Sequence, residues 1–317
     1  MSSDLEHAWH YTTAQGLLSI LQSNRLWASS AAFMNDVDEI QTGRRALRES
    51  LSERAEDWQT RQLQLLGVMN DAQPDNLFLL SASSDGDALT LWRSYGMGTE
   101  AEYALELDPS VPLAPVVQNM AAEHPSPPPG WGEEIIDYTD DGQPIPGPDP
   151  DQPSVWGGTW GRVRYLSEGS TWADEEAERI LSRLRKPRPG RITVPFVGDY
   201  FTGVDPTVLF KNPGFVDERE VRTTWDVWPR WKFVLYRASR FGITPYIEVG
   251  AYEAGSTPVF DEDEPFVAPS RLGRLPIRAV RIGPTRRNES AGRALRQLLD
   301  ATGYGSVQIF ESAAPYR

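Results

Sequence analysis

Phe210-Lys211-Asn212-Pro213-Gly214-Phe215-Val216-Asp217-Glu218-Arg219-Glu220-Val221-Arg222 opens on a turn and closes in a strand. Pro213-Gly214 is a strong breaker pair. Beyond it, Val221, Thr223, Trp225 and Val227 fall on one face and Glu220, Arg222, Thr224 and Asp226 on the other, so Glu220 to Trp228 reads as a strand. Glu218 and Glu220 stand at its start, two apart and on one side, with Arg222 beside them and Arg219 pointing away. Neighbouring carboxylates repel and burial raises a carboxylate's pKa, whereas an adjacent guanidinium keeps one ionised. Such a group can hold a sugar hydroxyl or face a developing cation. A solvated strand end carrying a single ion pair fits the same spacing.

Working outward, strands dominate the C-terminal side: Phe233–Arg237, Ile243–Val249, Ile277–Ile282 and Ser306–Glu311, with a helix over Ser290–Ala301 ended by Gly303. On the N-terminal side, Ala8–Thr12 is a short strand. A helix follows over Ala14–Ser23, capped by Thr13. Leu26–Ser29 is a second strand, and a long charged helix runs over Asp38–Val68. Leu77–Ser83 is a buried strand that ends in serines, Asp87 is placed to cap a short helix over Ala88–Tyr95, and Glu102–Leu107 alternates as a strand. Gly161–Leu166 reads as a strand, Trp172–Arg185 as a helix, and a short helix lies near Pro206–Phe210. Residues 124–153 are proline-rich, acidic and glycine-rich, and predict an insertion or long surface loop within 108–160. Strands and helices are segregated rather than alternating as βαβ, which predicts an α+β fold in one domain, 1–317.

The chain has 317 residues, net charge −14 and no cysteine. The charge argues against broad, non-specific nucleic-acid binding, which is largely phosphate neutralisation. Without cysteine there is no disulfide, thiolate zinc site or cysteine nucleophile. Three histidines, His7, His10 and His124, are too scattered for an all-histidine metal site. Asn35, Asp36 and Glu39 carry oxygens suited to a divalent metal, but a helix cap with acids in its first turn explains them more simply, and no metal is expected. No Gly-rich phosphate loop or Walker-type lysine is present. A polar, acidic N-terminus and the lack of any apolar run near the ~20 residues of a membrane span predict a soluble, cytoplasmic protein with no membrane partner.

His10-Tyr11-Thr12, Leu26-Trp27, Asn35-Asp36 with Glu39, Trp92-Arg93 with Tyr95, Glu218-Arg219-Glu220 with Arg222, and the closing Pro315-Tyr316-Arg317 follow one another in an order that resembles a bacterial family classed as a domain of unknown function. The likeness covers nearly the whole chain apart from the proline-rich middle. A more distant likeness is to the ADP-ribosyltransferase-like superfamily. There a histidine strand, a helix and a Leu-Trp strand open the fold, Ser81-Ala82-Ser83 is similar to the serine motif, and Glu218-Arg219-Glu220 to the glutamate motif. Tyr11 stands where many members have glycine, and the serine motif lacks its middle threonine.

That likeness implies a split antiparallel β-sheet core with flanking helices. It implies NAD as substrate, protein or nucleic acid as acceptor, and a toxin or phage-defence setting in which an antitoxin or other partner protein is expected. It implies that Glu220 bonds the ribose 2′-hydroxyl and stabilises positive charge on the sugar, that Glu218 orients or deprotonates the acceptor, and that His10 holds a ribose. It further implies that Thr12, Ser81, Ser83 and Arg222 line the NAD site, that Arg93 meets the pyrophosphate, and that Tyr11 or Tyr95 stacks on nicotinamide. Structural roles stand beside these. A histidine between Trp9 and Tyr11, Trp92 and Tyr95 at helical spacing, and serines in a turn are all common core or turn features. The alternatives are a non-catalytic module binding a nucleotide or nucleic-acid end, and an RNA 2′-phosphotransferase that needs the Arg183–Arg191 or Arg281–Arg296 segments at the site.

Overall fold

A computed structural model describes residues 5–33, 37–65, 68–69, 76–94, 103–116, 135–138, 144–146, 156–165, 170–184, 186, 208–227, 231, 233–239, 242–253, 272–284 and 289–315. Its strands are β1 (Ala8–Thr12), β2 (Leu26–Ser30), β3 (Leu77–Ser83), β4 (Tyr103–Leu107), β5 (Leu113–Pro115), β6 (Ile135–Tyr138), β7 (Pro144–Pro146) and β8 (Trp156–Arg162). They continue with β9 (Arg164–Tyr165), β10 (Phe210–Lys211), β11 (Glu220–Asp226), β12 (Leu235–Ser239), β13 (Gly242–Ala251), β14 (Ile277–Ile282) and β15 (Gln308–Glu311). The helices are α1 (Ala14–Ser23), α2 (Val37–Arg54), α3 (Asp57–Leu65), α4 (Leu89–Ser94), α5 (Trp172–Arg183) and α6 (Glu289–Ala301). Among the described residues no helix is long and apolar enough to cross a membrane.

α1 shows how closely the chain obeys local rules. Thr13 accepts from the Gly16 amide at 3.1 Å, satisfying one of the orphan donors of the first turn. Leu17, Ile20 and Leu21 form its buried stripe. It stops at Asn24, which takes the left-handed conformation at φ 57. Gly16 lets the helix start close against β1: a Cβ there would meet the Thr12 hydroxyl at 2.1 Å, which would have to turn away.

One large, mostly antiparallel sheet organises the α+β fold. β3 lies at its centre. Along one edge β3 pairs with β11 over its whole length, Glu220 opposite Ser83 through Asp226 opposite Leu77. Along the other edge it changes partner. Ser29 and Ser30 of β2 face Leu79 and Phe78, whereas Trp9 of β1 faces Ser83. The sheet therefore parts at β3 into one arm running β1-β4-β14-β15 and another running β2-β13-β12, with β5 also on β13 and β8 on the far edge of β11. Leu26, Ala28, Ile247 and Val249 of the second arm and Leu105, Leu107, Ile277 and Val280 of the first belong to one buried cluster with Leu17, Leu21, Leu295 and Leu299 of α1 and α6.

Three expectations change. The long helix over Asp38–Val68 is two helices, α2 and α3. Glu56 caps the second: its carbonyl takes the Gln59 and Thr60 amides, and Gln59 reaches back to the Glu56 amide at 2.9 Å, a reciprocal capping arrangement. The 108–160 span is not all insertion or surface loop, since β5 and β8 at its ends are strands of the main sheet. β8 can lie so close because Gly157 and Gly158, at φ 144 and 92, face Thr224 and Leu113 carbonyls where a Cβ would stand at 1.9 and 2.2 Å. Segregation also has an exception, for β14 and β15 pair in parallel with α6 between them. Most of the proline-rich 124–153 stretch and most of the proposed helix near Pro206–Phe210 lie outside the described residues.

Candidate functional site

The Pro213–Glu218 segment is a 3-10 turn, started by Asn212, whose side chain accepts from the Gly214 amide. It ends at Arg219 in the left-handed conformation, φ 45. That reversal delivers Glu218 and Glu220 to one place from different elements. Lys211, at the end of β10, is the residue that joins them. Its ammonium stands 2.7 Å from a Glu218 oxygen and 3.1 Å from a Glu220 oxygen, and it is buried.

Arg222 completes the cluster. It has no exposed surface. Its Nε donates to Glu220 at 2.7 Å and one Nη at 2.9 Å, while the other Nη donates to the Val208 carbonyl at 2.8 Å. The Glu220 amide donates to the Tyr165 hydroxyl at 2.8 Å. Burial pushes the Glu220 carboxyl up, but the Arg222 guanidinium beside it, then Lys211, hold it below the ordinary carboxylate range. Burial raises Tyr165. A solvated strand end with one ion pair is thus not what the chain builds. Two cations and two carboxylates share a closed site, which satisfies the requirement that buried charge be paired.

β3 supplies the serines, with different fates. Ser83 is fully buried and committed, donating to the Glu218 carbonyl at 2.7 Å and accepting from the Asp85 amide at 3.0 Å. It holds the 3-10 turn in place and is not free for a ligand. Ser81 lies two residues along on the same face, opposite Arg222. Its Oγ is buried, makes no hydrogen bond of good geometry to a described residue, and lies near enough to Glu220 to help lower that carboxyl.

His10 comes from the other side. Trp9 and Glu220 both face Ser83, so both project to the same side of the sheet, and His10 to the opposite one. Its Nδ1 lies 3.0 Å from the Ser81 carbonyl, in the gap where β1 and β3 have parted. Burial lowers the His10 pKa, and the bond to the carbonyl acts against it. The ring is therefore neutral, Nδ1 carries the proton it donates, and Nε2 is an acceptor. His10 reaches the carboxylate cluster through Ser81 rather than by contact.

Other expected residues separate. Tyr11 is buried under α4, edge-on to Trp92 with ring centroids 4.6 Å apart. Its hydroxyl donates to the Asp85 carbonyl at 2.9 Å and accepts from the Ala88 amide at 2.8 Å. Tyr11 is a post for the β3–α4 turn, with no face left to stack on nicotinamide. Arg222 is likewise a clamp on Glu220, too buried to line a ligand site. Thr12 is half-buried, against Gly16. Arg93 is exposed on α4, the helix that lies against the 3-10 turn. Tyr95, Asn35 and Asp36 lie outside the described residues, as do Tyr316 and Arg317. Asp87 does not cap its helix through its side chain. It accepts from Trp92 at 2.9 Å, the Ala313 amide at 2.8 Å and the Ser312 hydroxyl, and pairs with Arg281 at 3.2 Å. Burial acts to raise Asp87, and these donors lower it. The Arg-rich segments do not supply the site from what is described. Arg281 is held by Asp87, and Arg296 donates to the Gly305 and Val307 carbonyls. Among the described residues no group of histidines and carboxylates is arranged to hold a metal ion.

Lys211 and Tyr165 were not legible as site residues. Lys211 is one of only three lysines in the chain and lies in the breaker stretch itself, and that scarcity was the available signal. No family model, curated protein or solved structure matches the chain.

Proposed function

We propose that the chain is an NAD-dependent ADP-ribosyltransferase whose reaction is run from the Ser81–Glu218–Glu220 face. The observation that carries this reading is the meeting, at the parting of the sheet, of a fixed ionised carboxylate, a second carboxylate, and a buried serine hydroxyl beside the first. We read the parted sheet itself as the ADP-ribosyltransferase-like split core, supported by the exchange of β2 for β1 along one edge of β3.

The donor inventory fits a sugar. A carboxylate offers about four acceptor positions, and Glu220 receives three side-chain donors, two from Arg222 and one from Lys211. The fourth faces the Ser81 hydroxyl, which helps lower Glu220 and would turn to share that position with a ribose hydroxyl. When the bond from ribose C1′ to nicotinamide breaks, its electron pair leaves with nicotinamide, and positive charge gathers on the sugar. An ionised, immobile carboxylate meets that charge without reorganising. The acceptor then bonds to C1′ and gives up its proton. Glu218 is placed to receive it: only one of its oxygens has a described partner, and its side chain is the more accessible of the two.

One observation favours a second reading, a nucleotide-binding module without chemistry. Two cations already neutralise Glu218 and Glu220, as a purely structural cluster requires. The deciding experiment is incubation of the purified protein with NAD and a mixture of cell protein and nucleic acid, followed by mass spectrometry. Nicotinamide release with an ADP-ribose adduct is expected. A thermal shift with NAD and no release favours the module, and neither response removes NAD from the account.

A further inference from the structure

The second arm carries an aromatic surface that the carboxylate site does not use. Trp27 on β2 is 42% exposed. Tyr246 on β13 lies against it, centroids 4.7 Å apart and planes tilted by 41°. The Arg237 guanidinium, on β12, is 5.4 Å from the centre of the Trp27 ring and donates to the Ser29 hydroxyl at 2.9 Å. No carboxylate lies within ion-pair distance of Arg237 among the described residues, and its Nε is buried without a partner. Glu248 beside it is taken by Arg25. The register fixes where this surface points. Ser29 faces both Leu79 and Tyr246, so Trp27, Tyr246 and Arg237 project to the same side as Ser81 and Glu220. Where β2 still pairs with β3, at Ser29 and Ser30, only β3 separates it from β11, about 10 Å at the usual strand spacing.

We infer that Trp27, Tyr246 and Arg237 form a stacking platform for an unpaired base of single-stranded nucleic acid, with a neighbouring phosphate on Arg237. Arg237 lies over part of the indole and Tyr246 against it, and the part of the indole left exposed, together with the Tyr246 ring, is a surface on which any base can lie flat. A guanidinium with no carboxylate partner among the described residues suits a phosphate oxygen. A duplex keeps its bases stacked inside and has nothing to offer such a surface. The chain's net charge of −14 repels a polyanion at long range, so binding rests on stacking more than on phosphate neutralisation. Naming this strand the acceptor rests on the transferase reading; the binding itself does not.

The test uses the full-length protein and a short fluorescein-labelled single-stranded DNA, its RNA counterpart and the matching duplex, without NAD. Anisotropy is expected to report single-strand binding with a shallow salt dependence and little duplex binding. Trp27→Ala weakens it about tenfold or more, Trp27→Phe keeps most of it, and Arg237→Gln weakens it, all with unchanged melting temperatures. Absence of single-strand binding, equal binding of the duplex, or full binding by Trp27→Ala overturns the platform. Nicotinamide release from NAD, followed in the same preparations, judges the transferase separately. If release is absent while Trp27-dependent binding is present, the transferase falls and the platform stands.

Discussion

Arg222 grips the Glu220 carboxylate by both oxygens, at 2.7 and 2.9 Å, from a side chain with no exposed surface. With Lys211 and Glu218 the cluster is balanced, two charges against two. Arg222→Met leaves two buried carboxylates against one ammonium. Breaking such a pair costs about 3–5 kcal/mol, whereas apolar replacement of both partners is often close to neutral. Urea unfolding is expected to show that loss in Arg222→Met and recovery of most of it in Arg222→Met with Glu220→Leu. Losses that simply add would show that balance is not what holds the cluster.

Acid acts on the fold first through His10 and then through the lowered carboxyls, Glu220 among them. Burial lowers the His10 pKa below its ordinary 6.5, so the unfolded chain binds a proton that the folded chain refuses. The contribution of a neutral His10 is complete above pH 6.5 and declines as pH falls towards the folded value, with a slope of at most about 1.4 kcal/mol per pH unit. Glu220, held below its ordinary 4.5, contributes fully above pH 4.5, and that is lost as pH falls through its folded value. His10→Gln keeps a donor for the Ser81 carbonyl but does not titrate. Its urea midpoint is expected to be flat from pH 6.5 down to about pH 5, where the wild type declines. Matching slopes would show that His10 is protonated in the fold.

Tyr11→Phe removes both bonds made by one hydroxyl and leaves the Ala88 amide without its partner. An unmade bond at a buried donor costs about 1–3 kcal/mol. The variant is expected to melt lower and exchange the Ala88 amide faster while its NAD response is unchanged. A selective loss of NAD response at wild-type stability would return Tyr11 to the ligand.

What was legible follows from where the information lies. β1, α1, β3 and β14 stand within the predicted bounds because period, cap and breaker all lie inside each segment: Thr13 before Leu17, Asn24 after it, serines at the end of an apolar run. The break between α2 and α3 was not legible, since no glycine or proline marks Ala55-Glu56 and the cap is a glutamate with Gln59. In the site, the Glu218–Glu220–Arg222 set is local and was visible. Lys211 meets it across a 3-10 turn, and Tyr165 across fifty-five residues of sequence separation. The sidedness of His10 depends on the pairing of Trp9 with Ser83, which no local pattern contains.

β8 is held to β11 by absent side chains. Gly157 lies at φ 144, and a Cβ there would stand 1.9 Å from the Thr224 carbonyl. Its backbone conformation alone costs other residues about 1–3 kcal/mol, and the clash is with backbone that cannot turn aside. Gly157→Ala is expected to lower stability by about 3 kcal/mol or more and to loosen Thr223–Asp226 amides in hydrogen exchange. Gly292→Ala, on open helix surface with nothing within 4 Å, is the control and is expected to be neutral or slightly stabilising.

The two carboxylates are expected to fail differently. On the transferase reading, Glu220 meets the charge on the ribose whether the incoming group is water or acceptor, so Glu220→Gln is expected to lower nicotinamide release in both cases, by about 10²–10³-fold, the range of a lost electrostatic stabiliser. It also lowers stability, because Arg222 loses its counter-charge. On the same reading Glu218 acts on the incoming group, so Glu218→Gln is expected to lower acceptor modification by about 10²–10⁴-fold, the range of a lost general base. Its side chain is the more accessible, and Lys211 keeps Glu220 as partner, so the fold is retained. Nicotinamide release with and without acceptor, beside a melting curve for each protein, separates these cases. Wild-type release from both variants would remove the carboxylates from the chemistry and leave Lys211 and Arg222 as the ties of a structural cluster. Equal losses with and without acceptor in Glu218→Gln would assign Glu218 to the sugar as well, making the pair one electrostatic unit rather than a stabiliser and a base.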